Sequence, residues 1–361
     1  MPVFFCAEAD RRPILWAAIL ASSMGFIDSS VTAIAMPAMR AGLGASLAEA
    51  QWINAVYLLA LSALVLAGGA MGDRFGTARV FVAGIWVFVA GSLACAFALD
   101  ANQMIAARAV KGLGAALMVP GSMAMVSRAW PRAERGRALG MWAAASTMTT
   151  ALGPVLGGAL ITWGGELGWR LIFALNLPLG LAAVWLIRGR TPGDRGQPGV
   201  RVDLAGAVLA SAGLGLLAWA LIAPGAGWPV WVLALLALAG FLAWEAIAPA
   251  PMLRLGLFRN RVRAVTNLVT LVLYFALNGV MFYLPMTAVS AWEVSELEVT
   301  AAFLPISVLI GLLSAPAGRM ADRWGAGVLM AAGSALVALA YAGLWLAAPG
   351  GAFWTHVVPL A

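Results

Sequence analysis

The chain has 361 residues, of which 63% are hydrophobic and only 10% are charged, and its mean hydropathy is +0.94. Soluble domains carry about 25% charged residues, so this composition excludes a soluble globular protein. The formal net charge of +7 does not indicate nucleic-acid binding, because the arginines stand between apolar runs rather than on one face of a soluble domain.

Apolar segments of about 20 residues recur along the chain, and this length crosses a hydrocarbon core about 30 Å thick. Eleven such segments lie roughly at 14–36, 52–71, 79–99, 103–127, 137–160, 168–187, 203–222, 228–247, 264–290, 299–317 and 328–348. A twelfth begins near Phe353. None shows the strict alternation of a porin strand, so the sequence predicts an all-α polytopic membrane protein.

The arginines predict which side of the membrane each loop faces. The N-terminus and alternate loops carry 18 of the 22 basic residues, whereas the opposite loops carry only Arg40 and Arg170. Because positive residues are enriched in cytoplasmic loops, the sequence predicts a cytoplasmic N-terminus. The remaining two basic residues, Arg108 and Lys111, fall inside a predicted span.

Two charged turns read almost alike and lie 249 residues apart. Gly69–Gly84 and Gly318–Gly333 are identical at seven of sixteen positions, and each segment joins two apolar runs. The turn residues that recur are Gly69, Asp73, Arg74 and Gly76 in the first copy and Gly318, Asp322, Arg323 and Gly325 in the second. This repetition indicates an internally duplicated membrane transporter.

The distance between the two turns predicts the domain organisation. Eight predicted spans lie between Asp73 and Asp322, two more than the duplication of a six-helix unit would place there. We therefore expect two helices to be inserted between two pseudo-symmetric halves. The predicted domains are an N-terminal six-helix half (1–187), a cytoplasmic linker with the two inserted helices (188–250), and a partial C-terminal half of about three helices and a stub (251–361).

Asp28 lies deep in the first predicted span, where a charged and unpaired carboxylate costs several kcal/mol. Burial favours the neutral form of a carboxyl group, which suits it to proton exchange. The alternative is a structural group that is hydrogen-bonded to neighbours such as Ser29 or Thr32.

Arg108 and Lys111 lie one turn apart and therefore share a face of the fourth predicted helix. Arginine stays protonated in proteins, so a buried Arg108 requires an acidic or carbonyl partner, or an aqueous cavity. Asp28 is a candidate partner. In the alternative interpretation, both basic side chains extend to the external membrane interface.

Two further motifs predict mechanical rather than chemical roles. Gly153, Pro154, Gly157 and Gly158 predict a bend and a close helix contact in the fifth span, although ordinary packing of small residues is the alternative. Asp73 and Asp322 can cap a helix or pair with an arginine, or they lie in solvated turns that only fix the topology.

With these motifs placed, the chain resembles the major facilitator superfamily, above all its fourteen-helix drug:proton antiporter branch (EmrB/QacA type). Both charged turns match the family's loop signature. Four further segments resemble branch motifs of the first, fourth, fifth and sixth helices: Asp28–Pro37, Arg108–Ala116, Leu152–Gly158 and Trp169–Pro178. The sequence departs from the family pattern at Thr77-Ala78, Lys111 and Thr149.

The resemblance implies proton-coupled efflux of a small hydrophobic or cationic compound, by alternating access across a bacterial cytoplasmic (inner) membrane. It assigns Asp28, Arg108 and Lys111 to proton coupling or substrate recognition, the charged turns to a conformational latch, and the Gly153–Gly158 segment to the antiporter motif. It implies the proton gradient as the energy source, with no cofactor and no metal. The lipid bilayer and a periplasmic adaptor protein are the partners that it allows, and it implies no nucleic acid.

Two alternatives remain at the level of sequence. A facilitator of sugars, amino acids or other metabolites shares the fold. Because the resemblance implies fourteen helices, the sequence also predicts a C-terminally incomplete chain. The second alternative is therefore a non-transporting fragment or an assembly partner. An enzyme is not expected, because no nucleophile, metal cluster or carboxylate pair stands at a workable spacing.

Overall fold

The computed structural model describes residues 5–346, except 198, 224, 293, 296, 297, 300, 303, 304, 306–308, 310–312, 314, 315, 318, 319, 321 and 322. Within these residues the chain is helical and contains no strand. The helices are α1 (Arg11–Leu43), α2 (Leu47–Phe75), α3 (Thr77–Phe97), α4 (Ala101–Ala129), α5 (Arg132–Gly164), α6 (Gly168–Ala174), α7 (Asn176–Ile187), α8 (Leu204–Ile222), α9 (Trp228–Ile247), α10 (Arg261–Ala291) and α11 (Ala326–Leu346).

The all-helical, membrane-spanning architecture is confirmed. In the part of the chain that the structure describes, nine helical segments are long and apolar enough to cross a membrane. The sixth predicted span, 168–187, is confirmed as the candidate span Gly168–Ile187. Within this span the helix is interrupted at Leu175, between α6 and α7. The span predicted at 299–317 lies largely outside the described residues, and so does the predicted stub near Phe353.

Short sequence signals set the helix ends. Ser46 and Glu49 form a reciprocal capping box at the start of α2, with hydrogen bonds of 3.2 Å and 2.8 Å. Gly44 ends α1 in the left-handed conformation (φ +61°), and Gly76 separates α2 from α3 at φ +107°. Glycine adopts positive φ without the steric cost that a Cβ atom adds, so these two positions allow sharp reversals between long helices.

The described residues form two compact units, of which the first comprises 5–25, 39–145 and 170–261. In this unit α4 packs against both α2 and α3. A Cβ atom on Gly112 would stand 2.6 Å from the Tyr57 backbone oxygen, and one on Gly91 would stand 2.7 Å from the Lys111 backbone nitrogen. Small residues therefore let the three helices approach closely, which brings carbonyl groups and rings of α2 and α3 within reach of α4.

The two helices predicted as an insertion also belong to this first unit. α8 packs against α9 along its length and also against α2. The predicted domain boundaries after residues 187 and 250 stay predictions.

The second unit comprises 26–38, 146–169 and the described residues from 262 onwards. Its buried apolar cluster is formed by Ala288, Val299 and Ala302, with partly buried side chains such as Leu284 and Trp292 packed against it.

Candidate functional site

Arg108 is a buried cation about two turns from the start of α4, with 1% of its surface exposed. Its Nε donates a hydrogen bond to the Ile53 backbone oxygen at 3.0 Å. Its guanidinium carbon lies 4.6 Å from the centroid of the Tyr57 ring. A carbonyl dipole and the negative face of an aromatic ring both compensate a desolvated cation, so α2 provides part of the environment that Arg108 requires.

Lys111 lies one turn further along α4 and is fully buried. Its Nζ stands 4.8 Å from the Phe88 ring centroid and 4.7 Å from that of Phe173. An ammonium group between two ring faces gains cation–π stabilisation that increases when water is excluded. Arg108 and Lys111 are therefore held inside the first unit, and the alternative in which both extend to a membrane interface is wrong.

The break between α6 and α7 positions one of these rings. Asn176 Nδ2 donates to Ser92 Oγ at 2.8 Å, and Ser92 Oγ donates to the Phe173 backbone oxygen at 3.0 Å. These buried bonds fasten the interrupted helix to α3 beside Lys111. Sequence reasoning missed this role, although Phe173 and Asn176 stand in the motif that resembles the start of the family's sixth helix.

Asp28 lies on α1 within the second unit and is 1% exposed. Its burial agrees with the prediction of a carboxyl group inside a span. The predicted pairing of Asp28 with Arg108 stays a prediction, since the two residues belong to different units.

The antiporter motif lies beside the α1 segment that contains Asp28. A Cβ atom on Gly153 would overlap Ser30 Oγ, and one on Gly157 would stand 2.6 Å from Val31 Cγ1. The predicted close helix contact is therefore present between α5 and α1. α5 remains helical through Pro154, and Gly158 accepts a hydrogen bond at its backbone oxygen from Thr162 Oγ1 at 2.8 Å.

The first charged turn is fixed by an ion pair. Asp73 Oδ1, near the end of α2, lies 2.8 Å from Nη2 of Arg128 at the end of α4. The backbone oxygen of Asp73 also accepts a hydrogen bond from the Gln197 backbone nitrogen at 2.8 Å. Arg74 lies over the ring of its neighbour Phe75 at 5.2 Å. Asp73 is thus bound on one side by α4 and on the other by the segment that precedes α8.

Asp194 is a second acidic residue beside the first charged turn, and sequence reasoning did not identify it. Its side chain is 3% exposed, and its carboxylate accepts hydrogen bonds from the backbone nitrogens of Thr77 (2.9 Å), Ala78 (2.8 Å) and Arg79 (3.4 Å). It therefore caps α3 from a position 117 residues further along the chain, where its charge also complements the helix dipole. Arg128 Nη1 lies 3.8 Å from the same carboxylate, so one guanidinium joins both acidic groups. The sequence signal that could have drawn attention to Asp194 is the Pro-Gly-Asp sequence that it ends, within the arginine-rich linker.

The second charged turn is described only in part. Gly318 and Asp322 lie outside the described residues, and Arg323 is exposed. Gly325 has φ +85° and corresponds in the repeat to Gly76, whose φ is +107°. The two copies therefore share a left-handed glycine at the same position.

The comparisons with known proteins agree with this architecture. The sequence model described as Major Facilitator Superfamily matches residues 18–361. The methylenomycin A resistance protein of Bacillus subtilis is 35% identical over 318 residues, which cover 85% of this chain and 67% of that protein. The tetracenomycin C resistance and export protein of Streptomyces glaucescens is 31% identical over 344 residues, 91% of this chain and 62% of that protein. An uncharacterized MFS-type transporter of Mycobacterium tuberculosis is 32% identical, and 61% of it is covered, so the chain spans less than two thirds of the length of most of these relatives.

Solved structures share the fold. A POT family transporter in complex with a thioalcohol conjugated peptide superposes with a TM-score of 0.70, at 15% identity, over 96% of this chain and 79% of that chain. The inward-open xylose transporter XylE from E. coli gives a TM-score of 0.62, at 16% identity, over 97% and 78%. The relatives are transporters, in agreement with the expectation that the chain is not an enzyme. From the family match and the helical fold, the chain belongs to the Major Facilitator Superfamily.

Proposed function

We propose that this chain belongs to a proton-coupled exporter of small hydrophobic or cationic compounds, which works by alternating access with its N-terminus in the cytoplasm. The names of two relatives, a methylenomycin A resistance protein and a tetracenomycin C resistance and export protein, support export of toxic compounds. The observation that carries the proposal is the fully buried pair Arg108 and Lys111 on one turn of α4. Burying two basic side chains inside a span costs free energy, which a purely structural role does not require. Ionisable residues inside a span mark ion and substrate pathways.

In this proposal Asp28 carries the proton. A carboxyl group changes charge when it binds or releases a proton, whereas Arg108 stays protonated. Arg108 therefore contributes a fixed positive charge to the interior of the first unit. Lys111, between Phe88 and Phe173, places a second basic group on the same side of α4.

The proposed latch is the group formed by Asp73, Arg128 and Asp194. Arg128 joins the end of α2 to the carboxylate that caps α3. A rearrangement that separates Arg128 from Asp73 exposes two charges that water readily solvates. Such a pair can open and close at low free-energy cost, as a conformational switch requires.

A cell-based assay tests the proposed export. The full-length gene that contains this sequence is expressed in a bacterial host from which the endogenous efflux pumps are deleted, and the loss of a preloaded fluorescent cationic dye is followed. We expect faster dye loss than in the empty host, and we expect the protonophore-treated and Asp28→Asn cells to lose this difference. Asp100→Asn is the matched control, because Asp100 is an exposed carboxylate at the start of α4. Dye loss that is equal in expressing and empty hosts, with the protein present in the membrane, would refute the proposal.

A further inference from the structure

A cavity of about 560 Å³ lies between α2 and the two ends of the hairpin that α8 and α9 form. This volume is in the range of small-molecule binding sites. The lining comes from the last two turns of α2, from Pro120 of α4, and from the chain just before α8 and just after α9. All of these residues belong to the first unit.

Two arginines line this cavity, one from each end of the hairpin. Arg201 precedes α8 and Arg254 follows α9. Within the described residues, neither guanidinium forms an ion pair or a hydrogen bond with another side chain. A guanidinium group binds the oxygens of a phosphate through two parallel N–H groups. The cavity therefore presents two cationic groups that are suited to a phosphate.

Buried carboxylates hold the two arginine-bearing segments in place. Asp203 Oδ1 accepts hydrogen bonds from the Gly206 backbone nitrogen and from Trp244 Nε1, both at 2.8 Å, which fastens the chain before α8 to α9. Glu245 Oε2 accepts a hydrogen bond from the Leu253 backbone nitrogen at 2.8 Å, which fixes the residue before the second arginine. Because both segments are fixed without a ligand, binding costs less conformational entropy.

The two acidic residues that line the cavity already have partners. Asp73 lies 2.8 Å from Arg128 in the ion pair of the first charged turn. Asp203 accepts two N–H groups through one oxygen. The charges that remain available to a ligand are therefore those of Arg201 and Arg254, which favour an anion over a cation.

The apolar part of the lining favours a lipid over a soluble anion. Val65, Leu66 and Ala70 of α2 contribute to it together with Met252, and Leu66 is 47% exposed. Leu66 precedes Asp73 by seven residues, which is about 10 Å along a helix. The lining thus changes from charged to apolar along α2, as a bilayer changes from headgroups to acyl chains. A soluble anion would leave this apolar surface in contact with water.

We propose that this cavity binds an anionic phospholipid, with Arg201 and Arg254 on the phosphate of the headgroup and the apolar lining on the acyl chain. Basic pockets at the cytoplasmic side of membrane helices bind such headgroups, and the distribution of arginines predicts that this end of α2 is cytoplasmic. The bound lipid joins both ends of the hairpin to α2, on which α8 packs, and it therefore stabilises this contact.

Lipid-dependent unfolding of the full-length protein that contains this sequence tests the proposal without any transport assay. The protein is purified in detergent, and its unfolding temperature is measured as phosphatidylglycerol, phosphatidylcholine or glycerol phosphate is added. We expect phosphatidylglycerol to raise the unfolding temperature until the site is saturated. The half-saturating concentration should increase about fivefold in Arg201→Gln and about fivefold in Arg254→Gln. Arg132→Gln is the matched control and should leave it unchanged, because Arg132 is exposed at the start of α5 and does not line the cavity.

Ala70→Phe distinguishes a cavity from a merely basic surface. It keeps both arginines but fills the apolar part of the lining, so phosphatidylglycerol should bind more weakly to this variant as well. Unchanged binding in Ala70→Phe, or equal half-saturating concentrations in the wild type and both arginine variants, would overturn the proposal. A full temperature shift with glycerol phosphate or with phosphatidylcholine would also overturn it. If one arginine variant fails to fold, the other arginine variant and Ala70→Phe decide by the same comparison.

Discussion

Arg128 at the end of α4 lies 2.8 Å from Asp73 at the end of α2, and the same guanidinium lies 3.8 Å from Asp194. Residues from three separated parts of the sequence thus meet at the charged turn. Arg128 and Asp73 have side chains that are 33% and 54% exposed, so their ion pair stabilises the fold by about 1 kcal/mol or less. Because this ion pair is weak, it can break and re-form during a conformational change, and it adds little to the stability of the fold.

Asp73→Asn should therefore separate transport from stability. We expect the unfolding temperature to change little, because the pair is solvent-exposed, and the rate of dye efflux to fall several-fold, because the latch is lost. Glu8→Gln breaks another exposed ion pair, that of Glu8 with Arg11 at 3.0 Å, and should change neither quantity. Normal efflux in Asp73→Asn would show that the turn only fixes the topology.

Asp194→Ala should act mainly on stability. It removes the acceptor for three backbone N–H groups of α3, and the loss of a helix cap costs about 0.5–2 kcal/mol. We expect a loss at the upper end of this range, since the Asp194 side chain is only 3% exposed. Asp100→Ala removes an exposed cap of α4 and should cost less. Equal losses in denaturant unfolding would mean that Asp194 does not stabilise α3 in the way described.

Gly112→Ala should disrupt the packing of α4 on α2. The added methyl group would stand 2.6 Å from the Tyr57 backbone oxygen and 2.7 Å from Ala60 Cβ, and overpacking of this kind costs about 1–3 kcal/mol. Gly140→Ala on α5 is the control, because nothing lies within 4 Å of its added methyl group and alanine favours a helix by about 1 kcal/mol. The two variants should shift the unfolding temperature in opposite directions. A neutral Gly112→Ala would contradict the close helix contact.

A double-mutant cycle measures the contact between Lys111 and the Phe88 ring. Phe88→Leu should cost more stability when Lys111 is present than in a Lys111→Met background, because only the ammonium group gains from the ring face. The expected coupling is about 1–2 kcal/mol for a desolvated pair. The same cycle with Phe173→Leu should give a similar value. A coupling of zero in both cycles would show that the rings contribute only packing.

The helices and the buried cations could be predicted from the sequence, because an apolar run and a charge inside it are local signals. The break at Leu175 was not predicted, since the residues on both sides are apolar and continue the same run. Asp194 was also missed. Its partners in α3 and α4 lie far away along the chain, and only the packing of the helices brings them together. Sequence patterns show which residues are unusual within a span, whereas long-range partners depend on the fold.

Transport in inside-out membrane vesicles tests the central claim, proton-coupled export, most directly. An imposed pH gradient, acidic inside, is applied to vesicles that contain the chain, and dye accumulation and proton release are recorded together. We predict dye accumulation that requires the gradient, proton release that dye stimulates, and the loss of both in Asp28→Asn. Dye accumulation that continues undiminished after the gradient is collapsed would contradict the account.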